Sequence, residues 1–387
     1  MIRVSDLVKV YQPGSVRAVD EVSFTVNEGE FYTLLGPSGC GKTTTLRCIA
    51  GLERANGGTI ELGETVVVSD RIYVPPYRRD IGMVFQSYAV WPHMTVFENV
   101  AFPLRVGSNR PSSAQVRERV DTALGLVGLA SYEERMATQL SGGQQQRLSL
   151  ARAIVREPSV LLLDEPLSNL DARLRERMRG ELTAIQRRLG VTTLFVTHDQ
   201  IEALSMSDRI AVMDGGKIVQ EGTPEEIYHD PVNEFVASFI GSTNLFLGKY
   251  VARNEGARTV TVELDFGRLD VEDPDLTIEP GAQVLVAIRP ENVVLHHDGH
   301  EAAGGPRPNI IDARIGIGLF TGNSMEYYIE VEGNLVQVRA DSRLKLARGD
   351  AVKVELRPFD CRIFPVHGQP LVRIGSRRMS ALTRVDE

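Results

Sequence analysis

The 387-residue chain contains no stretch near the ~20 consecutive apolar residues that a helix needs to cross a bilayer, so an exporter with fused membrane helices is not expected. It has three cysteines, too few for a disulfide framework and not at zinc-binding spacing, so free thiols are expected. It also lacks basic excess. Against 51 acidic residues stand 43 lysines and arginines, a net charge of −8, and no basic run appears. Recognition of a phosphate backbone needs a concentrated cationic face, so no nucleic-acid partner is expected. The arginines of 173–179 alternate with apolar positions and read as a solvated helix face. The start, Met1-Ile-Arg-Val-Ser-Asp, has no charged-then-apolar leader pattern, and the expectation is a soluble, cytosolic chain. What is present, 42% hydrophobic residues over this length, suits two domains.

Gly36, Pro37, Ser38, Gly39, Cys40, Gly41, Lys42 and Thr43 have the glycine-lysine-threonine spacing of a phosphate-binding loop. The apolar run Phe31 to Leu35 predicts a buried strand before it, and Thr44 to Ala50, closed by Gly51, predicts a helix after it. Glycines at 36, 39 and 41 let successive N–H groups turn inward around a β-phosphate, where the helix dipole adds to them. Lys42 brings a compact positive charge to the β- and γ-phosphates, and the Thr43 hydroxyl is placed to ligate Mg²⁺. The motif indicates a nucleoside triphosphate without saying which machine uses it.

Ahead of the loop, the alternation of Ile2 to Val10 and Ala18 to Val26 predicts two half-buried antiparallel strands. Tyr11 ends the first, either as plain packing or as a face for a nucleotide base. Gly57 to Leu62 and Ile81 to Gln86 predict two more strands. Gln86 then stands at a carboxyl end, where α/β proteins bind ligands, and its amide is in place for a metal or an attacking water. The aromatic stretch from Ser87 to Asn99 holds the only tryptophan and reads either as a docking surface or as a satellite core. Ser113 to Val127 has helical periodicity, which makes this part a mainly helical insertion.

Ser141, Gly142, Gly143 and Gln144 open another helix, with Leu148, Ala151, Ile154 and Val155 on one face and Pro158 beyond its end. An N-cap serine, small glycines and a positive helix end make a second anion cradle. The chain already has one for its own nucleotide, so this one is inferred to serve another subunit's. Next, Ser159 to Glu165 is an apolar strand ending in two acids, which is costly unless they meet a cation or do acid–base work. Asp164 fits a metal shell. Glu165 alternates to the other side, where it polarises a water in line with the γ-phosphate. The segment Ser168 to Asp171 caps a helix whose stripe Leu170, Leu174, Met178, Leu182, Ile185 and Leu189 faces the core. Thr192 to His198 then puts a histidine at another strand end, usually a structural position, but beside a phosphate able to hydrogen-bond a γ-oxygen.

Together these residues resemble the ATP-binding subunit of an ABC transporter. Tyr11 is similar to the adenine-stacking A-loop aromatic, Gly36 to Thr43 to the Walker A loop, and Gln86 to the Q-loop. Leu140 to Gln144 resembles the signature motif and Leu161 to Asp164 Walker B. Glu165 resembles the catalytic glutamate, Ser168 to Asp171 the D-loop and His198 the H-loop. The resemblance implies catalytic roles for Glu165, His198, Gln86 and Lys42. It implies nucleotide contacts from Tyr11, residues 36 to 44 (Thr44 included), Gln86, Asp164, Ser141 to Gln144 and Asp171, and Mg²⁺ held by Thr43, Gln86 and Asp164. It implies a head-to-tail homodimer, or a pair with a close paralogue, sandwiching two ATPs.

The expected architecture is an α/β P-loop cassette over 1–240, with a helical subdomain and signature at about 87–157, followed by a different region over 241–387. There, short alternating segments at Thr259–Leu264, Val284–Ile288, Ala313–Ile317, Tyr327–Val331, Leu335–Val338 and Ala351–Leu356 predict a small all-β barrel. With Arg289-Pro-Glu-Asn and the Gly349-Asp turn, it resembles the OB-like TOBE regulatory domain of importers for sugars, polyamines, ferric iron or phosphonates. The expected function is an ATPase at the cytoplasmic membrane face that energises a binding-protein-dependent importer. Integral membrane permease subunits then dock near Gln86 to Val100, and an extracytoplasmic solute-binding protein acts indirectly. The run Tyr88-Ala-Val-Trp-Pro-His is more similar to the polyamine and ferric-iron group than to the sugar group. The alternatives are a sugar or phosphonate importer, or a soluble ABC ATPase of DNA repair or translation, whose long coiled-coil insertions or second cassette are not found here.

Overall fold

Val160 and Leu162 pack to one side of their strand and Leu161 and Leu163 to the other, and all four are buried. A strand covered on both faces reads as an unbroken apolar run, and it belongs at the centre of a layered α/β fold. The computed structural model describes residues 1–12, 16–106, 110–254, 258–272, 278–297 and 309–366, and it forms two compact units, the second beginning at Pro231.

In the first unit, β1 (Ile2–Lys9), β2 (Val19–Val26) and β3 (Phe31–Leu35) precede α1 (Lys42–Ala50). After these come β4 (Gly57–Leu62), β5 (Thr65–Val68), β6 (Ile81–Val84), α2 (Val96–Arg105), α3 (Ser113–Leu126), α4 (Gly142–Ile154), β7 (Val160–Asp164) and α5 (Ala172–Leu189). The unit closes with β8 (Thr192–Thr197), α6 (Gln200–Met206), β9 (Arg209–Asp214), β10 (Lys217–Gly222) and α7 (Pro224–His229). Its central sheet has the order β10-β9-β3-β8-β7-β6, parallel except for β10. A four-stranded antiparallel sheet, β2-β1-β4-β5, shares one core with α1 and one face of the central sheet. The other face packs against α2 to α5. The adjacent parallel strands β3, β8 and β7 therefore deliver their carboxyl ends to one crevice, where such folds bind ligands.

Two expectations need correction here. Leu189, placed on the buried stripe of α5, is 39% exposed, because the stripe ends where Gly190 turns the chain back with a φ of 61°. Arg175 is not part of a solvated face: it turns inward and hydrogen-bonds the Leu170 carbonyl and Asp199.

The second unit starts with α8 (Glu234–Phe239), whose carboxyl-end carbonyls are held by Arg289, with 2.9 Å from Nη1 to the Ala237 oxygen. Two antiparallel five-stranded sheets follow. One, β13-β12-β11-β14-β20, uses β11 (Asn244–Asn254), β12 (Thr259–Leu264), β13 (Gly267–Glu272), β14 (Gln283–Ile288) and β20 (Cys361–Pro365). The other, β15-β19-β16-β17-β18, uses β15 (Val294–His296), β16 (Ile310–Phe320), β17 (Ser324–Val331), β18 (Asn334–Asp341) and β19 (Ala351–Glu355). A single core containing Tyr250, Val262, Ile315, Tyr327 and Val354 joins them. The six expected segments are all strands; β11, β13, β15 and β20 were not among them. Residues 367–387 of the expected second domain lie outside the described residues.

Candidate nucleotide and hydrolysis site

The phosphate loop joins β3 to α1, and its glycines answer to contacts. A β-carbon on Gly36 would lie 2.3 Å from the Met213 carbonyl oxygen. Gly41 has a φ of 108°, and a β-carbon there would lie 2.3 Å from the Ala18 oxygen. Neither position admits another residue without moving backbone. Lys42 is buried, and its Nζ donates to the loop's own Gly36 and Pro37 carbonyls at 2.8 and 3.0 Å. Cys40, also buried, lies with Sγ 3.7 Å from that ammonium, and burial raises its thiol pKa despite the nearby charge.

Thr43 and Asp164 meet across the crevice, the hydroxyl donating to Oδ1 at 3.1 Å. Burial raises the pKa of Asp164, opposed by the Thr43 hydrogen bond and by Arg47, 3.9 Å from Oδ2. A desolvated carboxylate beside a hydroxyl is a hard oxygen donor set of the kind Mg²⁺ takes.

Glu165 does not simply continue the alternation of β7. Its φ is 44°, a strained left-handed value, and its N–H donates to the Val196 carbonyl at 3.0 Å. The strand ends there, and the side chain is re-aimed toward two groups. Gln86 Nε2 donates to Glu165 Oε2 at 3.3 Å, and His198 Nδ1 lies 3.1 Å from the same oxygen. Behind them, Ser168 donates to the Glu165 carbonyl at 2.9 Å and Asn169 to the Gln86 carbonyl at 2.8 Å. Tyr11 is 56% exposed at the rim, with its hydroxyl 3.3 Å from Thr44 Oγ1 and Lys9 Nζ 4.9 Å above its ring.

Lys42, Thr43, Gln86, Asp164, Glu165 and His198 thus converge, and Ser141 to Gln144 do not join them. The Ser141 N–H donates to Gln144 Oε1 at 2.9 Å, and among the described residues no hydrogen bond ties this stretch to the phosphate loop. A β-carbon on Gly143 would press on Leu174 at 3.0 Å, whereas one on Gly142 would meet nothing within 4 Å. Asp171 caps α5, accepting the Leu174 N–H at 3.0 Å.

The sequence reading missed the roles of four arginines. Arg47 faces Asp164 and Arg175 binds the loop before α5. Arg79 caps the carboxyl end of α1 through the Cys48 and Ile49 carbonyls at 2.9 and 2.5 Å. Arg152 on α4 holds the Tyr88 and Ala89 carbonyls at 2.9 and 2.6 Å and lies 4.6 Å over the Trp91 ring; burial lowers its pKa to about 10. Tyr88 and Ala89 have φ values of 59° and 47°, so Arg152 secures a strained turn. A lone arginine carries no spacing signal that distinguishes a buried carbonyl clamp from a solvated charge.

Such a phosphate loop, with a carboxylate pair at the end of the next strand but one in the same sheet, defines a P-loop ATPase. Comparison with known proteins specifies the kind. The ABC transporter family matches residues 19–168 and the TOBE domain family residues 286–364. The trehalose/maltose import ATP-binding protein MalK of Thermococcus litoralis is 49% identical, over 76% of this chain and 78% of its own. Two spermidine/putrescine import ATP-binding proteins PotA are similar. That of Marinobacter nauticus is 47% identical over 79% of this chain and 80% of its own, and that of Aliivibrio fischeri 52% over 72% of each. A solved dimeric ATP-binding cassette in a post-hydrolysis state with ADP and Pi aligns over 58% of this chain and 99% of its own, at 30% identity and a TM-score of 0.51. The chain belongs to the ABC transporter family, in its branch of import ATP-binding subunits with a TOBE domain, and is an ABC-type ATPase.

Proposed function

We propose that this chain hydrolyses ATP at a composite site in a head-to-tail dimer and thereby drives a polyamine importer. The observation that carries the hydrolytic part is the convergence of Gln86 and His198 on one oxygen of Glu165. A carboxylate held by two neighbours is oriented to take the proton of an attacking water. With Nδ1 toward Glu165, a doubly protonated His198 ring donates from Nδ1 to the carboxylate and from Nε2 to a γ-phosphate oxygen. Lys42 exchanges its two loop carbonyls for phosphate oxygens, and Tyr11 offers its exposed face to the base. Thr43, Asp164 and Gln86 are the residues that would hold Mg²⁺, which when bound would neutralise charge on the β- and γ-phosphates.

Ser141, Gly142, Gly143, Gln144 and Asp171 act on the nucleotide of the partner. Open space at Gly142 and the lack of a hydrogen bond to the chain's own phosphate loop support this, as does the dimeric cassette above.

A groove of about 850 Å³ beside the Gln86 segment supports permease docking. Its walls include Met83, Trp91, Phe102 and Val106, with Phe102 and Val106 36% and 56% exposed. We assign this groove to a cytoplasmic segment of the membrane subunits, which places the chain peripherally at the cytoplasmic membrane face. Among the described residues no helix is long and apolar enough to cross a membrane. The cassette is assigned to 1–240, although its residues from Pro231 onward belong to the second compact unit, its helical subdomain to about 87–157, and regulation to the TOBE region. The polyamine reading rests on the two spermidine/putrescine relatives and the Tyr88 to His93 run; a sugar solute is the second reading, favoured by the trehalose/maltose relative.

The test is uptake in a strain lacking this gene. Radiolabelled spermidine uptake should be lost and then restored by the parent chain but not by Glu165→Gln. Intact spermidine uptake with lost maltose uptake would transfer the assignment to sugar, and intact uptake of both would overturn the importer reading for these solutes.

A further inference from the structure

We propose that Arg175 is a positioning residue for hydrolysis, tying the loop that carries Asp171 to the turn that carries His198. The inference rests on the reading of Glu165 and His198 as the hydrolytic pair. Arg175 lies one turn into α5, and its Nη2 donates to the Leu170 carbonyl at 3.0 Å, immediately before the cap residue Asp171. Its Nη1 donates to Asp199 Oδ2 at 3.4 Å, and its Nε lies 3.9 Å from Glu202 Oε1 without a hydrogen bond.

Both acids belong to the turn around His198. Glu202 is buried and accepts the Thr197 hydroxyl at 2.6 Å. The Thr197 oxygen in turn accepts the Asp199 N–H at 3.0 Å, and Asp199 Oδ1 caps α6 through the N–H groups of Ile201 and Glu202 at 2.9 and 3.1 Å. The residues on either side of His198 are therefore in one network, while the His198 side chain itself is 54% exposed and touches Glu165. Its ring is placed by its backbone, and that backbone is placed by Arg175.

The consequence is a mechanical link. Asp171 stands on the segment assigned to the partner chain, and His198 on the turn beside Glu165. A displacement of the Leu170–Asp171 backbone is carried by one guanidinium to Asp199, so the partner's approach and the seating of His198 are coupled. A lysine retains the charge beside Asp199 and Glu202 but not the planar fork that spans a carbonyl and a carboxylate together.

The experiment uses the full chain with Arg175→Lys, Arg175→Gln and His198→Ala, singly and as the double variant Arg175→Lys/His198→Ala. Steady-state and single-turnover ATPase rates, KM for ATP and Tm are measured. Arg175→Lys should lower kcat roughly 10- to 100-fold, as small misplacements of reacting groups do, with KM within about twofold. In the His198→Ala background the same change should lower the residual single-turnover rate by less than about twofold, because the group it positions is gone. Parental kcat in Arg175→Lys, or an equal fall in both backgrounds, would overturn the proposal. If Arg175→Gln does not fold, because Glu202 then loses its cation, Arg175→Lys still decides. A His198→Ala chain with parental kcat would instead refute the hydrolytic-pair reading, so the two failures are distinguishable.

Discussion

Glu165 Oε2 and His198 Nδ1, delivered from the ends of the adjacent parallel strands β7 and β8, stand 3.1 Å apart. Glu165 leaves its strand in a left-handed conformation to make this approach, and strain of that kind persists only where surrounding structure over-determines it.

Replacing Glu165 with glutamine keeps the size and the His198 contact but removes the carboxylate that takes a proton. Turnover should fall roughly 10²- to 10⁴-fold, the usual range for losing a general base. ATP affinity should stay near parental, and an ATP-bound dimer should accumulate in light scattering. Turnover near the parental value would remove Glu165 from its assigned role.

Lys42→Ala should act on binding. The ammonium already makes two hydrogen bonds to loop carbonyls, so it is aligned in the loop before nucleotide arrives. Loss of a charge-assisted contact is worth about 1.5–3 kcal/mol, a weakening of roughly 10- to 100-fold. Calorimetry giving equal ATP affinities would count against it.

The composite site is tested by mixing. Ser141→Arg should bind ATP through its own phosphate loop yet fail to close the partner's site. Combined with Lys42→Ala, it forms a head-to-tail pair with both defects in one site and the other site intact. That mixture should give an ATP-dependent dimer that neither variant gives alone. A mixture that stays monomeric while both chains are folded would defeat the arrangement.

Asp164 supplies a pH dependence. Burial raises its pKa above the ordinary value of 3.8, so the folded apo chain binds its proton more tightly than the unfolded chain. Stability then falls as pH rises from the ordinary carboxylate value through the raised one, and the penalty vanishes below that window. Asp164→Asn carries no such charge. Its apo Tm should exceed the parent's at neutral pH, with the difference shrinking as pH falls through the window, while ATPase activity is lost. Parallel Tm profiles for the two chains would refute the assigned cause.

Phe102→Asp replaces an exposed aromatic contact of the groove with a charge beside Trp91, whose ring centroid lies 4.4 Å away. It should sharply reduce co-purification with the membrane subunits, with circular dichroism verifying the fold. Undiminished co-purification would move docking elsewhere.

Much of this molecule was legible from spacing. The phosphate loop, the apolar run into Asp164, the start of α4 at Ser141 and the Asp171 cap announce themselves because each is a local backbone event with a local residue requirement. Strands β11 and β13 were not read: β11 is buried on both faces at Asn244 to Phe246, which hides its period, while β13 does alternate, burying Leu269 and Val271, but is only six residues long and gains its place by pairing with β12. The aromatic stretch after Gln86 proved to be core and surface together: Tyr88 and Val96 are buried, while Trp91 lines the groove.

By itself the sequence determined that this chain binds nucleotide and which residues end which strands, because phosphate cradles and strand termini are specified within a few consecutive residues. Only the tertiary structure decided which of those ends meet. Glu165 faces Gln86 and His198 because β6, β7 and β8 are neighbours in one sheet. Arg152 became a clamp because burial removed the water that would otherwise have solvated it, and half-buried Arg175 because the fold brings the Leu170 carbonyl and Asp199 within reach of its planar fork.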